Sequence, residues 1–361
     1  MELNKKVYIL GSGASKSHSQ GVFPAADEFI IKGYELGLLS KKEKYFELIQ
    51  FLDNAFNIKI ASEKKVNIED ILTYLEIEIE RNPTPELLKY KEQLLSLISD
   101  ILQLLAEKII EGEYIRFKTH LVSASTILTF NWDLLLDDVF DRINVIQFKF
   151  QNPVVDSKTV RPHYFNSFME ITAYGEMTLA RGTPESPYNL WDGHKSYFLK
   201  LHGSIDWRYC INEGCRAFRK VYPVIDSLGN YFCSECHESM RTLIIPPVLN
   251  KNYMNYPTIR KIWNIAVKEI KLANEIIIWG YNLPATDFYS QWLLRKASPK
   301  NLKKVIIINP KAWGEKTQAP YKTFRRRFLD IFKNYEEVDF NFYKSFQEYL
   351  TAENKESAGN L

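Results

Sequence analysis

The sequence predicts an α/β fold built on a parallel sheet, and three observations carry the prediction. Short apolar runs rich in Val and Ile alternate with helical patterns. One long interval has helical periodicity alone, and all four cysteines fall in one short segment. Continuous apolar strands belong to a sheet covered on both faces, and alternation with helices makes that sheet parallel. Length and composition agree. At roughly 100–200 residues per domain, 361 residues allow two or three lobes. The hydrophobic fraction of 45% and charged fraction of 25% exclude a disordered or fibrous chain. A formal charge of +3 is too balanced for a dedicated nucleic-acid binder or an anionic-membrane protein.

The apolar runs are Val7–Leu10, Thr126–Phe130, Phe198–Leu201, Leu243–Ile245, Glu275–Trp279 and Val305–Ile308. Between Ala25 and Ile115 no strand is expected. Leu36–Leu52, Ile68–Glu80 and Leu87–Ile110 have helical spacing, with Asn82-Pro83-Thr84-Pro85 dividing the last two. This helical insertion is either packing bulk or an interface or lid. Asn144–Trp191 reads as loop with short strands, and the polar stretch Thr351–Leu361 as a frayed tail. The expected division is a nucleotide-binding core at 1–24, 116–205 and 242–350. The insertion spans 25–115, the cysteine segment 206–241 and the flexible tail 351–361. No apolar run approaches the roughly 20 residues that span a bilayer, and Met1–Leu10 lacks a secretory apolar stretch. A cytoplasmic protein is expected.

Chemistry concentrates where strands end. Gly11-Ser12-Gly13-Ala14-Ser15 follows the first strand, where glycines allow a tight turn and backbone approach to phosphate. Position 16 is lysine rather than a third glycine, so a plain strand-to-helix turn remains an equal alternative. Asn131 and Asp133 follow the second strand, where α/β sheets bind ligands. Asp133 could equally cap the helix Leu134–Phe140. His202, followed by Gly203, is a candidate general base or a structural histidine. Among the remaining histidines only His18 lies near the glycine loop. Gly280 and Asn309 stand at the ends of two further strands, and Thr286 or Asp287 could cap the helix near Phe288. Cys210 and Cys215 have four residues between them, Cys233 and Cys236 two, and 17 separate the pairs. Four thiolates so spaced suit a closed tetrahedral zinc ribbon, structural rather than catalytic.

In this order the motifs resemble the sirtuin superfamily, over about Val7 to Asn309. The resemblance implies a Rossmann-like, sirtuin-like core. Gly11, Gly13, Ala14 and Ser15 match the family's phosphate loop. Asn131 and Asp133 match the pair that handles the nicotinamide ribose and carboxamide, and His202 the catalytic histidine. Cys210, Cys215, Cys233 and Cys236 match its zinc ribbon, and Gly280 and Asn309 its adenosine-side contacts. Where protein deacylases of the family carry Pro-Asp-Phe-Arg, a Leu-His pair and Phe-Gly-Glu, this chain has Gly21–Asp27, Leu134–Asp137 and Ile244–Pro247. These departures count against an acyl-lysine substrate. With Leu201–Trp207, they look like the prokaryotic NAD-consuming branch found in anti-phage defence.

The resemblance implies an enzyme that binds NAD as substrate, holds structural Zn2+ and hydrolyses the nicotinamide–ribose bond. His202 and Asn131 would be catalytic. Unchecked NAD hydrolysis would poison the cell, so a latent enzyme is expected, gated by homo-oligomerisation or an activator protein of the defence system. The alternatives are an NAD-dependent deacylase and a non-catalytic NAD or ADP-ribose sensor.

Overall fold

The structure, a computed structural model, describes residues 5–39, 42–58, 65–109, 112–121, 125–139, 197–224, 231–246, 256–284, 287–297, 299–312, 319–332 and 338–359. Asn144–Trp191 and Thr286 lie outside them. The strands are β1 (Lys6–Leu10), β2 (Thr126–Thr129), β3 (Phe198–Lys200), β4 (Gly203–Tyr209), β5 (Val221–Pro223), β6 (Arg241–Ile244), β7 (Glu275–Trp279), β8 (Lys304–Ile308) and β9 (Asp339–Tyr343). The helices are α1 (Ser12–His18), α2 (Phe29–Glu35), α3 (Lys42–Phe56), α4 (Ile68–Arg81), α5 (Pro85–Ala106) and α6 (Glu113–His120), then α7 (Pro257–Lys271), α8 (Phe288–Ala297), α9 (Ala319–Phe332) and α10 (Phe346–Gly359).

Six strands form one parallel sheet in the order β3-β2-β1-β7-β8-β9. Renumbered along the chain, that order is 3-2-1-4-5-6, the arrangement of a doubly wound dinucleotide-binding sheet. After their first residues, Lys6, Glu275 and Lys304, the central strands β1, β7 and β8 are apolar because both faces are covered. Tyr8, Leu10, Ile277, Trp279, Ile306 and Ile308 pack with the insertion. Their neighbours Val7, Ile9, Ile276, Ile278, Val305 and Ile307 pack with α7, α8 and α9. One-residue alternation thus divides each strand between two cores. Removing a large ring from such a core, Trp263 or Phe328 for instance, costs about 3–5 kcal/mol.

Four sequence expectations change. Leu243–Ile245 contributes to β6, which pairs antiparallel with β4 in a separate sheet ordered β5-β4-β6. The edge strand β9 went unforeseen because Asp-Phe-Asn-Phe-Tyr alternates and is only half buried. Leu36–Leu52 is not one helix: Gly37, with φ +71°, turns the chain between α2 and α3. The other insertion helices start as their caps dictate. The Asn67 side chain accepts from Glu69 N–H, and Thr84 accepts from Leu87 N–H with Pro85 following. Within the expected tail, α10 continues to Gly359. Phe346 and Tyr349 bury its first turn, and Glu353 ion-pairs with Lys6 and His120. Among the described residues no helix is long and apolar enough to cross a membrane.

Candidate active site

Five of the six parallel strands deliver a sequence-predicted residue at their carboxyl ends. β1 leads to Gly11, β2 to Asn131, β3 to His202, β7 to Gly280 and β8 to Asn309. The order of strands reverses between β1 and β7, the place where such sheets bind ligands.

The loops after β1 and β7 touch there. Gly11 N–H donates to Trp279 O at 3.0 Å and Gly13 N–H to Gly280 O at 2.9 Å. Gly280 has φ +66°, and a Cβ on it would lie 2.1 Å from Ala14 N. A Cβ on Gly13 would lie 2.7 Å from Gly280 O. The glycines therefore serve the contact between loops. Ala14 N–H donates to Gly11 O, so the N–H groups of Gly11, Gly13 and Ala14 are all committed inside the protein. Ser12 is the exposed member of the loop.

A polar cluster closes behind the loop. Asn131 Nδ2 donates to Gly11 O at 3.1 Å and to Ser15 Oγ at 2.9 Å. Ser15 Oγ donates to Asp133 Oδ2 at 2.7 Å and lies 2.9 Å from the Tyr114 hydroxyl. Asp133 Oδ1 accepts from Leu135 N–H at 3.1 Å, so this residue does cap the helical turn at 135–139 while also holding Ser15. Burial raises the Asp133 carboxyl above its usual range, opposed by the charge of Lys200. Burial likewise raises the Tyr114 phenol, reinforced by Asp133. Lys200 is buried, donating to Asp133 O at 2.6 Å and pairing with Asp137 at 2.8 Å. Burial works against its charge, but Asp137, Asp206 and Asp133 outweigh it and raise its pKa. Asp206 is pushed up to about 6 by burial, opposed by Lys200.

His202, two residues beyond Lys200, is 3% exposed. Phe130 links the two halves, its ring 4.8 Å from the imidazole and 4.4 Å from the Tyr281 ring. His202 Nε2 lies 3.6 Å from Asp287 Oδ2. Asn309 is on the far side, where its Nδ2 donates to Asn282 Oδ1 at 3.1 Å. His18 supports the site indirectly: its Nδ1 accepts from Tyr114 N–H, and its ring stacks on Tyr114 at 4.6 Å.

Tyr114, Lys200 and Asp287 were not singled out for these roles from sequence. Tyr114 ends the insertion, 99 residues from Ser15, and nothing local marks it. Lys200 had a signal, a lysine inside an apolar strand, which is rare without a buried partner.

The four cysteine sulfurs lie within 4.8 Å of one another, with 3.6 Å between Cys210 and Cys236 and 3.7 Å between Cys215 and Cys233. Zn–S bonds of about 2.3 Å in a tetrahedron place sulfurs about 3.8 Å apart. The cluster could therefore hold one tetrahedral ion. Its sulfurs are too far apart for disulfides, whose S–S distance is about 2.05 Å.

The strand order and the glycine contact decide the architecture. The site lies at the switch point of a doubly wound sheet. No family model matches the chain, and no curated protein matches it. Among solved structures it is similar to a histidine-to-asparagine mutant of a Sir2 homologue in complex with ADP-ribose. That likeness has 13% identity and a TM-score of 0.32, covering 91% of this chain and 92% of the other. At that TM-score it carries no argument, and the fold rests on the topology above.

Proposed function

We propose that this chain is a sirtuin-like NAD hydrolase that cleaves the nicotinamide–ribose bond to give nicotinamide and ADP-ribose. The observation that carries the reading is that Asn131 and His202 follow adjacent strands at the carboxyl edge of a dinucleotide-type sheet, Asn131 hydrogen-bonded to the glycine loop and His202 packed on Phe130. A pure binder has no use for a buried histidine at the end of the strand next to the one that carries the orienting amide.

The pyrophosphate lies against the loop Gly11–Ser15, where the exposed Ser12 offers its hydroxyl. Asn131, with Asp133 fixed behind it through Ser15, orients the ribose and carboxamide. Gly280 and Asn309 border the adenosine side. The bond from C1′ to the nicotinamide nitrogen breaks, and its electron pair leaves with the ring. An oxocarbenium-like centre develops at C1′. Water adds to C1′ and gives its proton to His202. The four cysteines would hold zinc, which would fix the ribbon and leave no coordination position for substrate. The enzyme is latent and works in anti-phage defence, gated by self-association or an activator protein acting through the insertion.

The test is incubation of the purified protein with NAD and resolution of products. Free nicotinamide and ADP-ribose without acylated peptide, lost in His202→Ala and Asn131→Ala, support the reading. Turnover only with acyl-lysine peptide assigns the site to deacylation instead.

A further inference from the structure

Asp287 reaches the site from the loop after β7, 85 positions beyond His202, and the cap that it makes explains only half of its contacts. It is fully buried. Ser290 N–H donates to Oδ1 at 3.4 Å, the expected cap of α8. Oδ2 does something else. It accepts from the Tyr281 hydroxyl at 2.6 Å and the Ser290 hydroxyl at 2.5 Å, and it faces His202 Nε2 at 3.6 Å. A carboxylate so deep requires compensation, and two hydroxyls with one N–H supply it while fixing its rotamer. The imidazole is fixed too. Phe130 lies 4.8 Å from it on one ring contact and Trp263 6.4 Å on another. Two immobilised groups therefore face each other at Nε2 and Oδ2, at an electrostatic distance longer than a hydrogen bond.

The chemistry of that pair is specific. A neutral imidazole carries its proton on one nitrogen and a lone pair on the other. A carboxylate oxygen beside Nε2 favours the proton there and leaves the lone pair on Nδ1. We propose that Asp287 is a positioning residue that holds His202 in the Nε2–H tautomer, making Nδ1 the proton-accepting nitrogen. The proposal rests on reading His202 as the base. When His202 accepts the proton of water at Nδ1, Nε2–H stays in place and the buried carboxylate stabilises the imidazolium. No proton passes to Asp287. Tyr281 and Ser290 act one step further out, keeping Oδ2 aimed.

The experiment uses full-length protein labelled with 15N-histidine, with His202 assigned by its disappearance in His202→Gln. The wild type shows a protonated Nε2 and an unprotonated Nδ1 at neutral pH. In Asp287→Asn the signal moves toward the opposite tautomer. Calorimetry with ADP-ribose gives an affinity within about twofold of wild type, while kcat for NAD falls at least ~10²-fold with KM unchanged. An unprotonated Nε2 in the wild type overturns the proposal, and so does an unchanged tautomer in Asp287→Asn. If Asp287→Asn does not fold, the wild-type spectrum alone decides. A tautomer shift in a protein that never cleaves NAD leaves the pairing standing and removes the hydrolase reading.

Discussion

The two ends of β4 are held by opposite means. At its start, next to His202, the contacts join residues far apart in the chain. Ser15 meets Asp133 across 118 positions, and Asn131 meets Gly11 across 120. At its end, next to Cys210, the cluster is local: Cys210 and Cys236 are 26 apart and Cys215 and Cys233 only 18. The ribbon end encloses a small core of Tyr222, Tyr231 and Met240 around the thiols. The site end is a switch point braced by two large cores. A region with little apolar surface would gain most from an ion held by its four cysteines, whereas a region inside a large sheet can keep its polar residues for chemistry.

The contrast can be broken most forcefully by metal removal. A structural four-thiolate zinc site contributes on the order of 10 kcal/mol or more. Stripping the metal, or Cys210→Ser, should unfold the ribbon while the parallel sheet keeps its hydrogen-exchange protection. Metal analysis of the intact protein should give about one zinc per chain. Loss of protection across both regions at once would show that they fold as a single unit.

Next in size are the changes at the site end. His202→Ala should lower NAD turnover ~10²–10⁴-fold, read by product chromatography on protein that calorimetry shows to be folded. Gly280→Ala should act first on stability. It places a methyl where only backbone fits and forces a positive φ on alanine, costing at least ~1–3 kcal/mol in denaturant unfolding. Tyr114→Phe is milder. It deletes one hydroxyl from Ser15, which keeps Asp133, so about 1 kcal/mol is expected.

The smallest effect lies between the two regions, at Asp206. Its folded pKa of about 6 exceeds its ordinary 3.8, so between those values the folded state binds more protons than the unfolded state. The stability it contributes is fully present below pH ~4 and is lost as pH rises through about 6. Asp206→Asn should therefore melt higher than wild type at pH 7.5, with the difference vanishing near pH 4. Equal shifts at both pH values would contradict the assignment.

The same contrast explains what could be read in advance. The cysteine cluster was legible because four ligands at short spacing are a local signal. The strands β1, β7 and β8 were legible because both of their faces are buried and four consecutive residues of each are apolar. β9 was not, being an edge strand with alternate residues half exposed. Asn131, Asp133 and His202 were visible as strand-end residues, but their partners were not. Tyr114 and Asp287 acquire roles only when the sheet brings distant segments together. The glycine loop stands directly after β1, where its spacing put it, and the N–H groups of Gly11, Gly13 and Ala14 donate within the protein.

The central claim is that the switch-point cluster around Asn131 and His202 hydrolyses NAD. It is tested most directly by following NAD with the purified protein, alone and after induced self-association, and resolving nicotinamide from ADP-ribose. The account predicts stoichiometric release of both, abolished by His202→Ala and by Asn131→Ala in folded protein. Release that persists unchanged in both variants would contradict it.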